Sequence, residues 1–382
     1  MTAATPAPAL SAPFVERRHA PRKREIYIDA FRGLMALVMV QGHVFDDLVQ
    51  AAARSDRLYQ LQVIFHGSTA PGFLFASGFV AGLPRAPLSL RASLRRARRL
   101  LFVLGVGFFL HLPYLSFWKT AHATRAEKAD LFACNPLQLI AVTQLAVLAL
   151  QWLAGRRWVV AAAACGMAVL FAGPFVWASG ISLRLPLFVG AYLDQAVAPS
   201  QFPVFPFASF VLAGTAAGAW LGRTDRRRRR KRALGGAGLL VALGAALSLA
   251  LRGRVGFWGV SPGYALLRIG GLLLLLTAVE WAAAPPRPGT RVLALLGHET
   301  LLVYVLHLLI LFGGVLGRSP LLAYQGRLGF GTAFVILAAM LPVLYAAAWT
   351  WHRVKTGHPH AARLVLAFLT VYVLWEFATR PW

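Results

Sequence analysis

The chain has 382 residues, 58% of them hydrophobic and 14% charged, with a formal net charge of +26. With a mean hydropathy of +0.63, that composition excludes a soluble enzyme built around one core and fits an all-α, polytopic membrane protein. A basic nucleic-acid module is excluded too, because it would not repeat apolar runs of about 20 residues.

Residues 1–25 are Pro/Ala-rich and then basic, with no hydrophobic run. They are expected to be a disordered cytoplasmic tail and not a signal peptide. Residues 26–382 are expected to form a single transmembrane domain. Apolar windows predict about eleven spans, near 28–49, 68–84, 99–117, 136–154, 158–178, 204–222, 233–251, 263–283, 299–316, 330–350 and 361–379. The second is short and holds Pro71, Gly72, Gly78 and Gly82, which suits a broken or re-entrant segment. With the N-terminus in the cytoplasm, the inner segments carry 26 of the 39 Lys and Arg and the outer segments 11, with Arg32 and Arg268 inside spans. Such an asymmetry sets orientation. The run Arg223–Arg232 then reads as a topology anchor that also attracts anionic lipid.

The first span contains DAFRGLMALVMVQGHVFDD (Asp29–Asp47). Arg32 and His43 are eleven residues apart, which returns them to one helix face about 16 Å apart along the axis. Asp29 precedes Arg32 by one turn, and Asp46 and Asp47 follow His43 by one turn. Ionisable groups inside a span are costly unless they face a cavity or a partner. A histidine with an acidic orienter is the smallest set that activates a hydroxyl or amine. His43 with Asp46 or Asp47 is therefore the first catalytic candidate. His66, opening HGSTAPGFLFASGFVAG in an outer loop, is the second.

Two cysteines, Cys134 and Cys165, give no disulfide framework, and no His/Cys cluster has zinc spacing, so no metal is expected. Arg184, in an outer segment, and Arg268, in the eighth window, are cations able to hold an anionic group. In the ninth window Thr300, Tyr304 and His307 share a face at i, i+4 and i+7. Tyr304 and His307 suit either an interhelical hydrogen-bond pair or, with Arg32 and Arg268, a donor-binding surface. No P-loop, HExxH, GxSxG or Rossmann fingerprint occurs in a credible context.

Four stretches together carry a family resemblance: REIYIDAFRGLMALVMVQGHVF, APGFLFASGF (Ala70–Phe79), FPFASFVLAGTAAGAWLG (Phe205–Gly222) and LGHETLLVYVLHLLIL (Leu296–Leu311). They resemble the bacterial branch of the heparan-α-glucosaminide N-acetyltransferase-like family, within the wider transmembrane group that includes the acyltransferase-3 proteins. The resemblance implies an enzyme of the bacterial cytoplasmic membrane that uses acetyl-CoA to acylate an amine or hydroxyl of an extracytoplasmic sugar. It implies His43 as the essential histidine and Arg32 as a donor-binding residue. The lysosomal branch has its active histidine between the first two spans, which keeps His66 in consideration. That branch's long outer domain is missing here, so an envelope glycan replaces heparan as the expected acceptor. The expected partners are acyl-CoA, a glycan or amino-sugar acceptor, membrane lipid and a second copy of the chain, without nucleic acid. A proton-coupled permease for an anion is the rival reading of the same intramembrane charges.

Overall fold

The computed structural model describes residues 25–84, 89–112, 115–256, 259–314 and 317–380. The expected disordered tail, Glu25 apart, lies outside the described residues. Among these described residues, sixteen α-helices follow in order. The first eight are α1 (Ile26–Leu48), α2 (Arg57–His66), α3 (Thr69–Gly82), α4 (Leu90–Phe109), α5 (Phe117–Ala121), α6 (Arg125–Phe132), α7 (Pro136–Leu153) and α8 (Trp158–Ser179). The rest are α9 (Leu187–Leu193), α10 (Val204–Leu221), α11 (Arg226–Ala250), α12 (Pro262–Ala282), α13 (Pro288–His298), α14 (Thr300–Phe312), α15 (Phe330–Gly357) and α16 (Pro359–Thr379). Among the described residues, β-structure is confined to the pair Gly313–Gly314 with Gly317–Arg318 and a bridge between Val49 and Leu328.

The protein is an all-α, polytopic membrane protein. Nine helical stretches among the described residues are long and apolar enough to cross a membrane, or ten when α13 and α14, bent by 78°, count as one. Large apolar side chains on α8, α11, α12, α15 and α16 stay open, Phe175, Leu249, Trp281, Val335 and Phe368 among them. A soluble protein would not present such a belt; lipid tails cover it.

The third window differs from its expectation. Its helix begins at Leu90, so Arg91 to Arg99 lie on α4 and not in a loop. Ser89 caps it, its hydroxyl accepting from the Ala92 N–H at 3.3 Å, and arginine is a good helix former. The basic half keeps α4 from qualifying as an apolar span, yet it runs between two ends of the bundle. At one end Ser93 accepts from the Trp152 indole at 3.2 Å. At the other the Gly107 carbonyl accepts from Asn135 at 2.9 Å.

The same two ends recur in other contacts. Val49 meets Leu328, and Ser116 donates to the Arg380 carbonyl, joining segments predicted to share a side. At the opposite end the basic run is more than an anchor. Arg229 of α11 is buried and donates two hydrogen bonds to the buried carboxylate of Glu280 on α12. It also lies over the Tyr27 ring at 5.2 Å.

α1 is the central element. It packs on α2, α3, α12, α13, α14 and α15, and its apolar face is almost wholly covered. Its closest neighbour is α13, where Gly33 meets the Leu293 carbonyl and Gly297 meets that of Asp29. A methyl at either glycine would collide with backbone, so the approach requires both. The last carbonyls of α1 are taken by Arg54, whose guanidinium donates to Asp46 O at 2.7 Å and Val49 O at 3.0 Å. That satisfies carbonyls with no partner inside the helix and places positive charge at its C-terminus.

Candidate active site

The Pro and Gly content of the second window predicts a break inside it, but Thr69–Gly82 is one continuous helix, α3, with Pro71 in the first turn, where no backbone N–H is needed. The chain is instead interrupted just before it, at Gly67 and Ser68 between α2 and α3. The break changes the place of His66. It is the last residue of α2 and not part of a surface loop. α2 folds back on α1 and turns Tyr59, Gln62 and His66, at i, i+3 and i+7, towards it. There they converge on Asp46. The His66 Nε2 lies 3.2 Å from Asp46 Oδ2, while the Tyr59 hydroxyl and the Gln62 amide donate to Asp46 Oδ1 at 3.0 and 3.3 Å. Gln41 donates in turn to the Gln62 carbonyl oxygen at 2.7 Å. Close approach of His66 requires Gly42, where any Cβ would strike the imidazole.

Asp46 therefore orients His66 and not His43. Asp47, the other predicted orienter, accepts from the Gln325 amide at 2.5 Å, away from both histidines. The partner of His43 is His307, with His43 Nδ1 and His307 Nε2 2.7 Å apart and the rings stacked. The geometry assigns the protons. His307 Nδ1 lies 2.9 Å from the Val303 carbonyl, which can only accept, so this nitrogen carries a hydrogen. With both rings neutral, His307 Nε2 is an acceptor and His43 Nδ1 is the donor to it. That leaves a bare lone pair on His43 Nε2, which has no hydrogen-bond partner among the described residues.

The two histidine pairs are not equivalent. His66 uses Nε2 on Asp46, and its Nδ1 is buried against Gly42 without a hydrogen-bond partner among the described residues. His43 keeps its basic nitrogen for a cavity of about 340 Å³ that His43, Asp46, His66, Thr69, Gln201, Phe202 and Tyr304 line. The rings of His43 and His66 meet edge-on at 5.5 Å.

A second cavity, about 420 Å³, lies nearer the start of α1. Arg32, Arg96 and Arg99 give it positive charge, and Ile140, Val147 and Leu148 of α7 give it an apolar wall. Arg32 donates to the Thr300 hydroxyl at 2.6 Å and lies 3.7 Å from Asp29. The two cavities share three lining residues: Phe73, Pro136 and Tyr304. They are neighbouring chambers along one face of α1, with Arg32 in one and His43 in the other.

The α13–α14 break aligns the third wall. Glu299, at the break, is buried and accepts from Lys355 Nζ through both oxygens at 2.7 Å, with His298 and His352 at 2.7 and 3.0 Å. Ligand atoms of His298, Glu299 and His352 lie within 4.8 Å of one another. The donor set would suit a cation, but the Lys355 ammonium already holds both carboxylate oxygens, so the cluster works as a clamp on the bend. Beyond the bend, one face of α14 sends Thr300 to Arg32, Tyr304 to the junction of the chambers and His307 to His43. The predicted shared face of these three residues thus meets α1 directly.

Arg268 belongs to neither chamber's lining; its guanidinium stacks on Tyr264 at 4.3 Å and sits behind Gly67. Arg184 lies in a short 3-10 turn, on the exposed surface. Sequence reasoning missed Tyr59 and Gln62, which a polar stripe at i, i+3 and i+7 on α2 would have revealed. It also missed Phe73, which carries no such signal.

A family model described as an acyltransferase domain, of the acyltransferase-3 type, matches residues 25–352, a span that contains every residue lining the two chambers. A search of curated proteins returned no match.

Proposed function

The chain belongs to the acyltransferase-3 family of membrane acyltransferases, and from that premise we propose that it moves an acetyl group from cytoplasmic acetyl-CoA to an amine or hydroxyl of an extracytoplasmic glycan. The proposed location is the bacterial cytoplasmic membrane, and the proposed branch is the heparan-α-glucosaminide N-acetyltransferase-like one. One observation carries the reading: an arginine-lined chamber and a histidine-lined chamber meet at Phe73, Pro136 and Tyr304.

The arginine chamber suits the donor. CoA is a polyanion, and Arg96 and Arg99 together with the net charge of +26 favour its approach. The apolar wall from α7 suits the pantetheine arm, with Arg32 oriented by Thr300 and Asp29. The histidine chamber suits the acceptor. There His43 Nε2 takes the proton of the acceptor O–H or N–H as that atom attacks the thioester carbonyl carbon. When the C–S bond breaks, the thiolate leaves and takes the proton from His43. His307 holds the tautomer that makes Nε2 the base, and the His66–Asp46 pair orients the acceptor. Holding both reactants at one junction supplies the proximity contribution.

In proteoliposomes given acetyl-CoA and a glucosamine oligosaccharide, free CoA should appear only when the oligosaccharide is present. Arg32→Lys keeps charge but loses the planar fork, and should weaken acetyl-CoA binding in calorimetry by about tenfold, the loss of one charge-assisted hydrogen bond. Movement of label across the membrane without free CoA would contradict the reading and favour a permease.

A further inference from the structure

Tyr304 occupies a place that no step above uses. Of the three residues common to both chambers, it alone carries a polar group on its side chain. Its ring meets His307 edge-on at 5.7 Å, so the base pair His43–His307 and the phenol are adjacent. Its hydroxyl has no hydrogen-bond partner among the described residues. A tyrosine hydroxyl half-buried in a span normally finds a partner. The hydroxyls nearby are engaged: Thr69 donates to the His66 carbonyl at 2.8 Å, Ser77 to that of Leu74 at 2.8 Å, and Thr300 to that of Gly297 at 3.3 Å, while Gln144 and Gln201 each line one chamber and not the junction. Tyr304 is therefore the unengaged donor where a thioester leaving the arginine chamber enters the histidine chamber.

We propose that the Tyr304 hydroxyl is the oxyanion donor of the acyl transfer, an assignment that rests on the acyltransferase reading. Attack on the thioester carbon moves the carbonyl π electrons onto oxygen, and that oxygen accepts a hydrogen bond from the Tyr304 O–H. The phenol keeps its proton throughout. When the tetrahedral intermediate collapses, the C=O bond re-forms, the C–S bond breaks, and the thiolate is protonated by His43. Charge develops on the oxygen only during the reaction, so a donor fixed there in advance lowers the barrier without tightening ground-state binding. The edge-on contact with His307 fixes the ring, and with it the direction of the hydroxyl.

The test is Tyr304→Phe in full-length protein in proteoliposomes, with acetyl-CoA and a glucosamine oligosaccharide. The ring and its contact with His307 survive, so thermal stability and acetyl-CoA affinity should stay near wild type. Loss of one oxyanion donor typically lowers kcat by about 10²–10³, with KM values within a few-fold. A second variant, Tyr304→2,3-difluorotyrosine, keeps the fold and a hydroxyl but ionises at lower pH. Its kcat should fall at correspondingly lower pH, because a phenolate cannot donate. A wild-type kcat in Tyr304→Phe, or a loss confined to KM, overturns the assignment, as does an unchanged pH profile in the fluorinated protein. If the wild type releases no CoA with the acceptor, it is the acyltransferase reading that fails.

Discussion

His43→Ala should reduce acyl transfer by about 10²–10⁴, the usual contribution of a general base, while acetyl-CoA affinity stays within a few-fold. The two effects separate because His43 lines only the histidine chamber and Arg32 only the arginine chamber. His307→Ala should also slow transfer, since it removes the acceptor that fixes the proton on His43 Nδ1. His66→Ala should be milder, because the free nitrogen of His66 faces Gly42 and not the chamber. Kinetics of the three variants at matched expression check the order. Full activity in His43→Ala beside an inactive His66→Ala would transfer the base role to the Asp46–His66 pair.

The largest stability effect is expected at the α11–α12 pair. Arg229 and Glu280 are both buried, and removing one member of such a pair leaves an uncompensated charge. Glu280→Ala should therefore destabilise the protein by about 3–5 kcal/mol. Replacing both residues with leucine should cost far less, since apolar substitutes of similar volume commonly match a buried pair. Unfolding in mild detergent, compared across the single and double variants, measures the difference. Equal losses in both would mean that packing and not charge governs this contact.

Single-helix periodicity made much of α1 legible. Arg32 and His43 had to share a face, and Asp29 had to sit beside Arg32, because their spacings match the turn of one helix. The same logic placed Thr300, Tyr304 and His307 together on α14. It could not tell which neighbour each side chain would take. Asp46 is one turn from His43, but α2 brings a histidine, a tyrosine and an amide to it first. His43 then pairs with a residue 264 positions away, a distance no local pattern encodes. The anchor reading of the basic run was incomplete for a related reason. Charge density reads as solvated surface, and only the packing of α11 on α12 shows that Arg229 turns inward. The α13–α14 break was likewise hidden, because GHETLLVY looks like a continuous span until Glu299 is seen clamped by Lys355, His298 and His352.

The central claim is that the acyl group passes between two chambers that serve opposite faces of the membrane, and sided reconstitution tests it most directly. In a Cys165→Ser background, an impermeant maleimide on Ala323→Cys or Arg223→Cys reports which way each vesicle population faces; both positions are exposed, and Cys134 is buried. Labelled acetyl-CoA is then supplied on one side only and the glucosamine oligosaccharide on the other. The account predicts acetylated oligosaccharide, with free CoA on the donor side, when acetyl-CoA is on the Arg223 side and the acceptor on the Ala323 side. Product formed only when both substrates share one side would contradict it.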